Sequence, residues 1–264
     1  MQSFTASDGT RIAYDEWGRE TGDTGLPPVV LHHGFIANAN LNWVGPGVVN
    51  ALTSAGRRVV ALDARGHGAS DKPHDASFYG EERMAADLRQ LFDILGAPQV
   101  DLVGYSMGAL VSLVVASQDA RVRRLVVGGV GAGAAEAGGV SSRVLSRDAI
   151  AAALLAKDPA SISDPVGALF RSFAERVGGD REALAASAAA HHVTSIPLAQ
   201  ITAPTLVIAG RQDQLAARPE VLANAIPNAR LKLIPGDHLA AVLDPQFAPS
   251  IVEFLAARSE SSQG

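Results

Sequence analysis

Ser106 stands at the centre of Gly104-Tyr105-Ser106-Met107-Gly108, a Gly-x-Ser-x-Gly pentapeptide. A serine hydroxyl becomes a useful nucleophile only when a base takes its proton. His238, in Pro235-Gly236-Asp237-His238, is the candidate base and the last of the seven histidines in the chain. An acid must then fix the imidazole tautomer and stabilise its charged form. Asp213, in Gly210-Arg211-Gln212-Asp213, is the candidate for that role. Two other aspartates compete. Asp237 adjoins His238 and is poorly placed to reach back to the ring, and Asp244 opens an Asp-Pro turn that reads as a helix cap. The chemistry implied by Ser106, Asp213 and His238 is nucleophilic acyl transfer.

Such chemistry also needs donors for a developing oxyanion, each worth about 10²–10³ in rate. The segment Val29-Val30-Leu31-His32-His33-Gly34-Phe35 ends an apolar run in His-Gly, where glycine lets the backbone turn. The amides of Phe35 and Met107 are therefore the expected donors. Adjacent residues on a strand point to opposite faces, so His32 and His33 are not expected to share a metal ion. His191 and His192 pose the same problem and read as a helix end. No metal or other cofactor is expected.

These groups need strand ends to stand on. Ser3 to Trp17 alternates polar and apolar residues around Asp8-Gly9, a hairpin signal. Short continuous apolar runs then recur: Val29-Val30-Leu31, Val59 to Leu62, Val100 to Val103, Leu125-Val126-Val127, Thr205 to Ile208 and Leu231 to Ile234. That texture suits strands buried on both faces. Between them, Glu82 to Leu95 places Met84, Leu88, Leu91, Ile94 and Leu95 on one helical stripe, and Met107 to Ser117 reads as a second, more apolar helix. Alternating strands and helices predict an α/β fold with a mostly parallel sheet covered on both faces. Ser106, Asp213 and His238 each fall just past a strand run, in an order and placement suited to that fold.

The alternation fails between residues 131 and 196. Three Ala-rich helices are expected there instead, over Arg147–Lys157, Asp164–Val177 and Asp180–His192. This stretch is read as a helical lid inserted into a core of residues 1–130 and 197–258, with residues 259–264 a flexible tail.

Composition narrows the setting. The chain has 264 residues, 47% hydrophobic and 19% charged, a net charge of −5 and no cysteine. That balance suits a globular protein able to bury a large core and offers no basic footprint for nucleic acid or an anionic membrane. With no basic N-terminal start, no apolar run of bilayer length and no disulfides, a cytoplasmic protein is expected. Its expected partner is a small-molecule substrate, and the oligomeric state stays open.

Five blocks together resemble the α/β-hydrolase superfamily: His33-Gly34-Phe35, Asp63-Ala64-Arg65-Gly66-His67-Gly68-Ala69-Ser70, the Ser106 pentapeptide, Gly210 to Asp213, and Gly236-Asp237-His238. The resemblance implies Ser106 as nucleophile, His238 as general base and acid, and Asp213 as orienting acid. It makes the Asp63–Ser70 segment a structural turn near the site mouth, so His67 is not expected to be a base. Chain length and the short lid resemble the esterase, enol-lactonase and cofactor-free haloperoxidase-like members. Serine at the elbow argues against the branches that use aspartate there, the haloalkane dehalogenases and epoxide hydrolases.

The implied function is hydrolysis of a small or medium carboxylic ester or lactone through an acyl-enzyme on Ser106. Alternatives on the same residues are acyl transfer to another acceptor, cyclisation, carbon–carbon bond hydrolysis, or a ligand-binding receptor. Ala109 and Leu239 weigh against the carbon–carbon hydrolases, which usually carry glycine and an aromatic residue there. Candidate substrate-lining residues are Gly34, Ile36, Trp43, Tyr105, Leu145, Phe170, Phe173 and Leu239. Their apolar character suits a neutral substrate, and no basic cluster announces an anionic one.

Overall fold

In a computed structural model of the chain, residues 1–19, 25–137, 146–190 and 195–257 are described. Leu145, His191, His192 and the expected tail lie outside them. The strands are β1 (Gln2–Thr5), β2 (Arg11–Trp17), β3 (Val29–His32), β4 (Val59–Leu62), β5 (Val100–Tyr105), β6 (Val122–Gly128), β7 (Thr205–Gly210) and β8 (Ala229–Ile234). They form one sheet in the order β1-β2-β4-β3-β5-β6-β7-β8. The β1–β2 and β2–β4 pairs are antiparallel and the rest parallel. The expected hairpin turns at Gly9, whose φ of 87° suits glycine.

Every residue of β3, β4, β5 and β7 is buried, the reason these strands read as largely apolar runs, Asp101 of β5 being paired with Arg57 and Arg123. β8 has the same apolar look, but it is an edge strand, where Leu231 is only partly covered and Leu233 is exposed.

One face of the sheet is covered by α2 (Glu81–Ile94), α3 (Met107–Gln118) and α8 (Pro219–Ala225). The other is covered by α1 (Val48–Ser54) and α9 (Phe247–Ala256). On α2 the stripe Met84, Leu88 and Leu91 is buried as expected, whereas Ile94 in the last turn is exposed. α3 is buried on nearly all sides, packed against α2, β5 and β6. A helix apolar all round must lie in the interior, and this one holds Ser106 at its N-terminus.

Between β6 and β7 lie α4 (Ala132–Ala137), α5 (Arg147–Leu155), α6 (Pro165–Arg176) and α7 (Arg181–Ala189). The side chains of Ser146, Asp164 and Asp180 accept the first free amides of α5, α6 and α7, stabilising each start by about 1 kcal/mol. Ile150, Leu154, Ala174 and Leu184 of α5–α7 make a small apolar cluster of their own, which Ile36 joins from the sheet side. No helix among the described residues is long and apolar enough to cross a membrane.

Candidate active site

The geometry of the elbow follows from its two glycines. A Cβ on Gly104 would lie 2.3 Å from the Gly108 carbonyl oxygen, and one on Gly108 would lie 2.1 Å from that of His32. Only bare backbone lets β5 turn so sharply into α3. The turn forces Ser106 to φ 53°, ψ −115°, a sparsely populated conformation costing about 1–3 kcal/mol. Its amide donates to the Gly128 carbonyl at 2.8 Å, which braces the turn against β6.

His238 follows β8 through a turn at Gly236, where φ is 105°. Its Nε2 lies 2.9 Å from Ser106 Oγ and its Nδ1 lies 2.8 Å from Asp213 Oδ2. The other Asp213 oxygen accepts the amides of Leu215 and Ala216 at 2.9 and 3.1 Å. One oxygen is thus fixed by backbone while the other faces the imidazole. A carboxylate only accepts, so Nδ1 carries the ring proton and Nε2 presents its lone pair to the serine hydroxyl. Asp237 instead caps the turn, accepting the amides of Leu239 and Ala240. Asp244 accepts the Gln246 amide just before α9.

The loop after β3 passes close to the serine. A Cβ on Gly34 would lie 3.3 Å from Ser106 Cβ, and the Gly34 amide donates to Asn42 Oδ1 at 2.9 Å. Ile36 is held at φ 67°, a rare conformation for a β-branched residue. Among the described residues, neither the Phe35 nor the Met107 amide has a hydrogen-bond acceptor. Asn42 was missed in the sequence: it lies in a short helical turn, Asn40–Val44, and carries no motif.

The Asp63–Ser70 segment is a braced turn. Asp63 accepts the amides of Ala39 and Ala69, and Ser70 bridges the Asp63 carbonyl and the Ala13 amide. Arg65 forms a bidentate pair with Asp87 at 2.7–2.8 Å and a third bond to Asp8 at 2.7 Å. His67 packs 5.2 Å from the His33 ring and 5.7 Å from the Phe35 ring. Burial drives its pKa down to about 3, and that of His32 and His33 to about 4. No group of three or more His, Asp or Glu side chains among the described residues is placed to hold a metal ion.

Two cavities meet at Ser106. The first, about 70 Å³, is lined by Phe35, Met107, Leu110, Ile150 and Phe170 and by the charged Glu81 and Arg147. The second, about 220 Å³, has Gly34, Tyr105, Phe173, His238, Leu239 and Leu243 on its wall. The structure therefore brings Gly34, Tyr105, Phe170, Phe173 and Leu239 to the serine. It places Trp43 elsewhere, fully buried in the core with Leu31 and Leu52, because the Asn40–Val44 turn folds the indole inward. Ile36 packs with Ile150 and Leu154 instead of lining either cavity. Glu81 and Arg147 were not among the sequence candidates. They stand 66 residues apart, and only the tertiary fold brings the start of α5 to the start of α2.

The comparisons with known proteins agree with this fold. A family model described as the alpha/beta hydrolase fold matches residues 27–130. A non-heme haloperoxidase from Rhodococcus erythropolis is 30% identical over 268 residues, covering 89% of this chain and 92% of that protein. The solved structure of a hydrolase from Pseudomonas aeruginosa superposes with a TM-score of 0.77 at 30% identity, covering 97% of this chain and 98% of that one. The enol-lactonase from Burkholderia xenovorans LB400 gives a TM-score of 0.73 at 26% identity, covering 97% and 100%. Other curated relatives are 36–41% identical over shorter stretches, and there the match spans 28–44% of their length. The chain belongs to the α/β-hydrolase fold family. Enol-lactonase, haloperoxidase and esterase proteins are among those it is similar to.

Proposed function

We propose that the protein is a serine hydrolase cleaving a small or medium carboxylic ester or lactone through an acyl-enzyme on Ser106. The observation that carries this reading is the relay from Asp213 to His238 to Ser106, at 2.8 and 2.9 Å, opening onto two cavities. Ser106 Oγ attacks the carbonyl carbon as His238 Nε2 takes the hydroxyl proton. The Phe35 and Met107 amides receive the oxyanion. As the tetrahedral centre collapses, the carbon–oxygen bond to the leaving group breaks and that oxygen takes the proton from His238. Water repeats the sequence on the acyl-serine, releasing the acid and restoring the hydroxyl.

The cavities divide the substrate between them. A departing oxygen must reach His238 Nε2, and His238 lines the second cavity but not the first. The alcohol therefore belongs in the second cavity, whose Leu41, Phe173, Leu239 and Leu243 suit an apolar group. The acyl chain belongs in the first. Helices α5–α7 act as a lid over it, since Arg147, Ile150, Phe170 and Ala188 form one side of its wall.

Ser106→Ala tests the reading. Wild-type protein should label with a fluorophosphonate probe and turn over p-nitrophenyl acyl esters, and the variant should do neither. Full turnover by Ser106→Ala would end the proposal.

A further inference from the structure

Glu81 opens α2 and is only 2% exposed, in the cavity assigned to the acyl chain. Arg147 opens α5 and lines the same cavity, its Nη2 3.4 Å from Glu81 Oε1. A buried ion pair contributes little to stability, because desolvation offsets most of the attraction. This one is also loose: the contact exceeds the roughly 3.2 Å upper range of a good N–H···O bond. Arg147 offers five N–H donors, and among the described residues Glu81 is its one polar partner. Burial lowers the guanidinium pKa, with Glu81 opposing the shift, and an arginine so placed remains a cation.

We propose that Arg147 and Glu81 form a specificity subsite for an acyl group ending in a neutral hydrogen-bonding function, of which a primary carboxamide is the simplest. Its carbonyl oxygen accepts from Arg147, and its N–H donates to the Glu81 carboxylate. A neutral polar group can meet both side chains without adding charge to this wall of the cavity. A carboxylate would bring a second negative charge beside Glu81, and an alkyl end would leave the Arg147 donors unmet. The cavity is small, about 70 Å³, so the acyl chain is short; a four-carbon chain with a terminal amide represents it.

This inference rests on Ser106 being the acyl acceptor, and its test separates the two. Three benzyl esters with isosteric branched ends serve as probes: the 4-methylpentanoate, the succinamate and the hemisuccinate. Wild-type kcat/KM should favour the succinamate over the 4-methylpentanoate by roughly ten- to hundred-fold, the scale of a hydrogen bond to a charged group. Arg147→Met should bring that ratio near unity. Glu81→Gln should move the preference to the hemisuccinate, an inversion that loosened packing would not produce. The inference is overturned if the wild type favours the hemisuccinate or the alkyl ester. It is equally overturned if both variants keep the wild-type ratio, or if no probe is turned over while Ser106 still labels with fluorophosphonate. Failure of that labelling would bring down the hydrolase reading and the subsite with it.

Discussion

The Tyr105 hydroxyl donates to the carbonyl oxygen of His238 at 2.6 Å. The residue before the proposed nucleophile thereby holds the backbone of the proposed base. Burial pushes the Tyr105 phenol well above its ordinary pKa, with Asp213 and Asp237 adding to the shift, so the group is a neutral donor. Its ring also lies 5.3 Å from the imidazole. Tyr105→Phe keeps the packing and removes the bond. We expect kcat to fall by about three- to tenfold, the scale of one hydrogen bond, with KM little changed. Steady-state kinetics on a p-nitrophenyl ester check this.

Asp213→Asn should lower kcat by about 10³–10⁴, because an amide no longer fixes the productive imidazole tautomer. Asp237→Asn should leave kcat within a few-fold of wild type, since asparagine can also cap the Leu239 and Ala240 amides. Reversed magnitudes for the two variants would show that the wrong aspartate has been assigned.

Gly108→Ala places a methyl 2.1 Å from the His32 carbonyl oxygen, and the atoms it meets are backbone of His32 and His33, which cannot swing aside as a side chain could. The expected loss is about 3 kcal/mol or more of folding stability, the upper range for overpacking. Urea titration followed by circular dichroism measures it. A variant as stable as wild type would mean that the elbow is looser than its geometry.

Three buried histidines give stability a pH dependence. Burial holds His32 and His33 near pKa 4 and His67 near 3, below the unfolded value of about 6.5. As pH falls below 6.5 the unfolded chain binds protons that the fold refuses, so the unfolded state gains. This contribution is complete above pH 6.5 and is lost progressively as pH falls towards 4 and below. Thermal melts between pH 8 and 4 should show Tm falling through that window. His67→Gln should flatten the decline, and an unchanged slope would remove His67 from the account.

What could be read from the sequence depended on whether position along the chain stood in for position in space. Ser106, Asp213 and His238 were legible because each follows an apolar strand run, and parallel strands gather such ends on one edge of the sheet. The glycines of the elbow were legible because steric need leaves a compositional trace. Trp43 misled, since an aromatic residue after the His-Gly loop looks the same whether it turns outward or into the core. Asn42, which pins the Gly34 amide, carries no pattern at all. Glu81 and Arg147 each look like an ordinary charge at a helix start. Their meeting depends on the tertiary fold bringing two helix starts together, which no local spacing encodes.

Ser106 and His238 touch across 132 residues of chain. While the polypeptide is being synthesised, the elbow emerges long before β8 and the loop that carries the imidazole. A growing chain can therefore display the serine for many seconds, at roughly 5–20 residues per second, with nothing to take its proton. On the proposed reading, the proton acceptor arrives only with the loop that follows β8, the last strand. If Ser106 and His238 hold those roles, the order of the sequence withholds the reaction until the last strand of the sheet has been made.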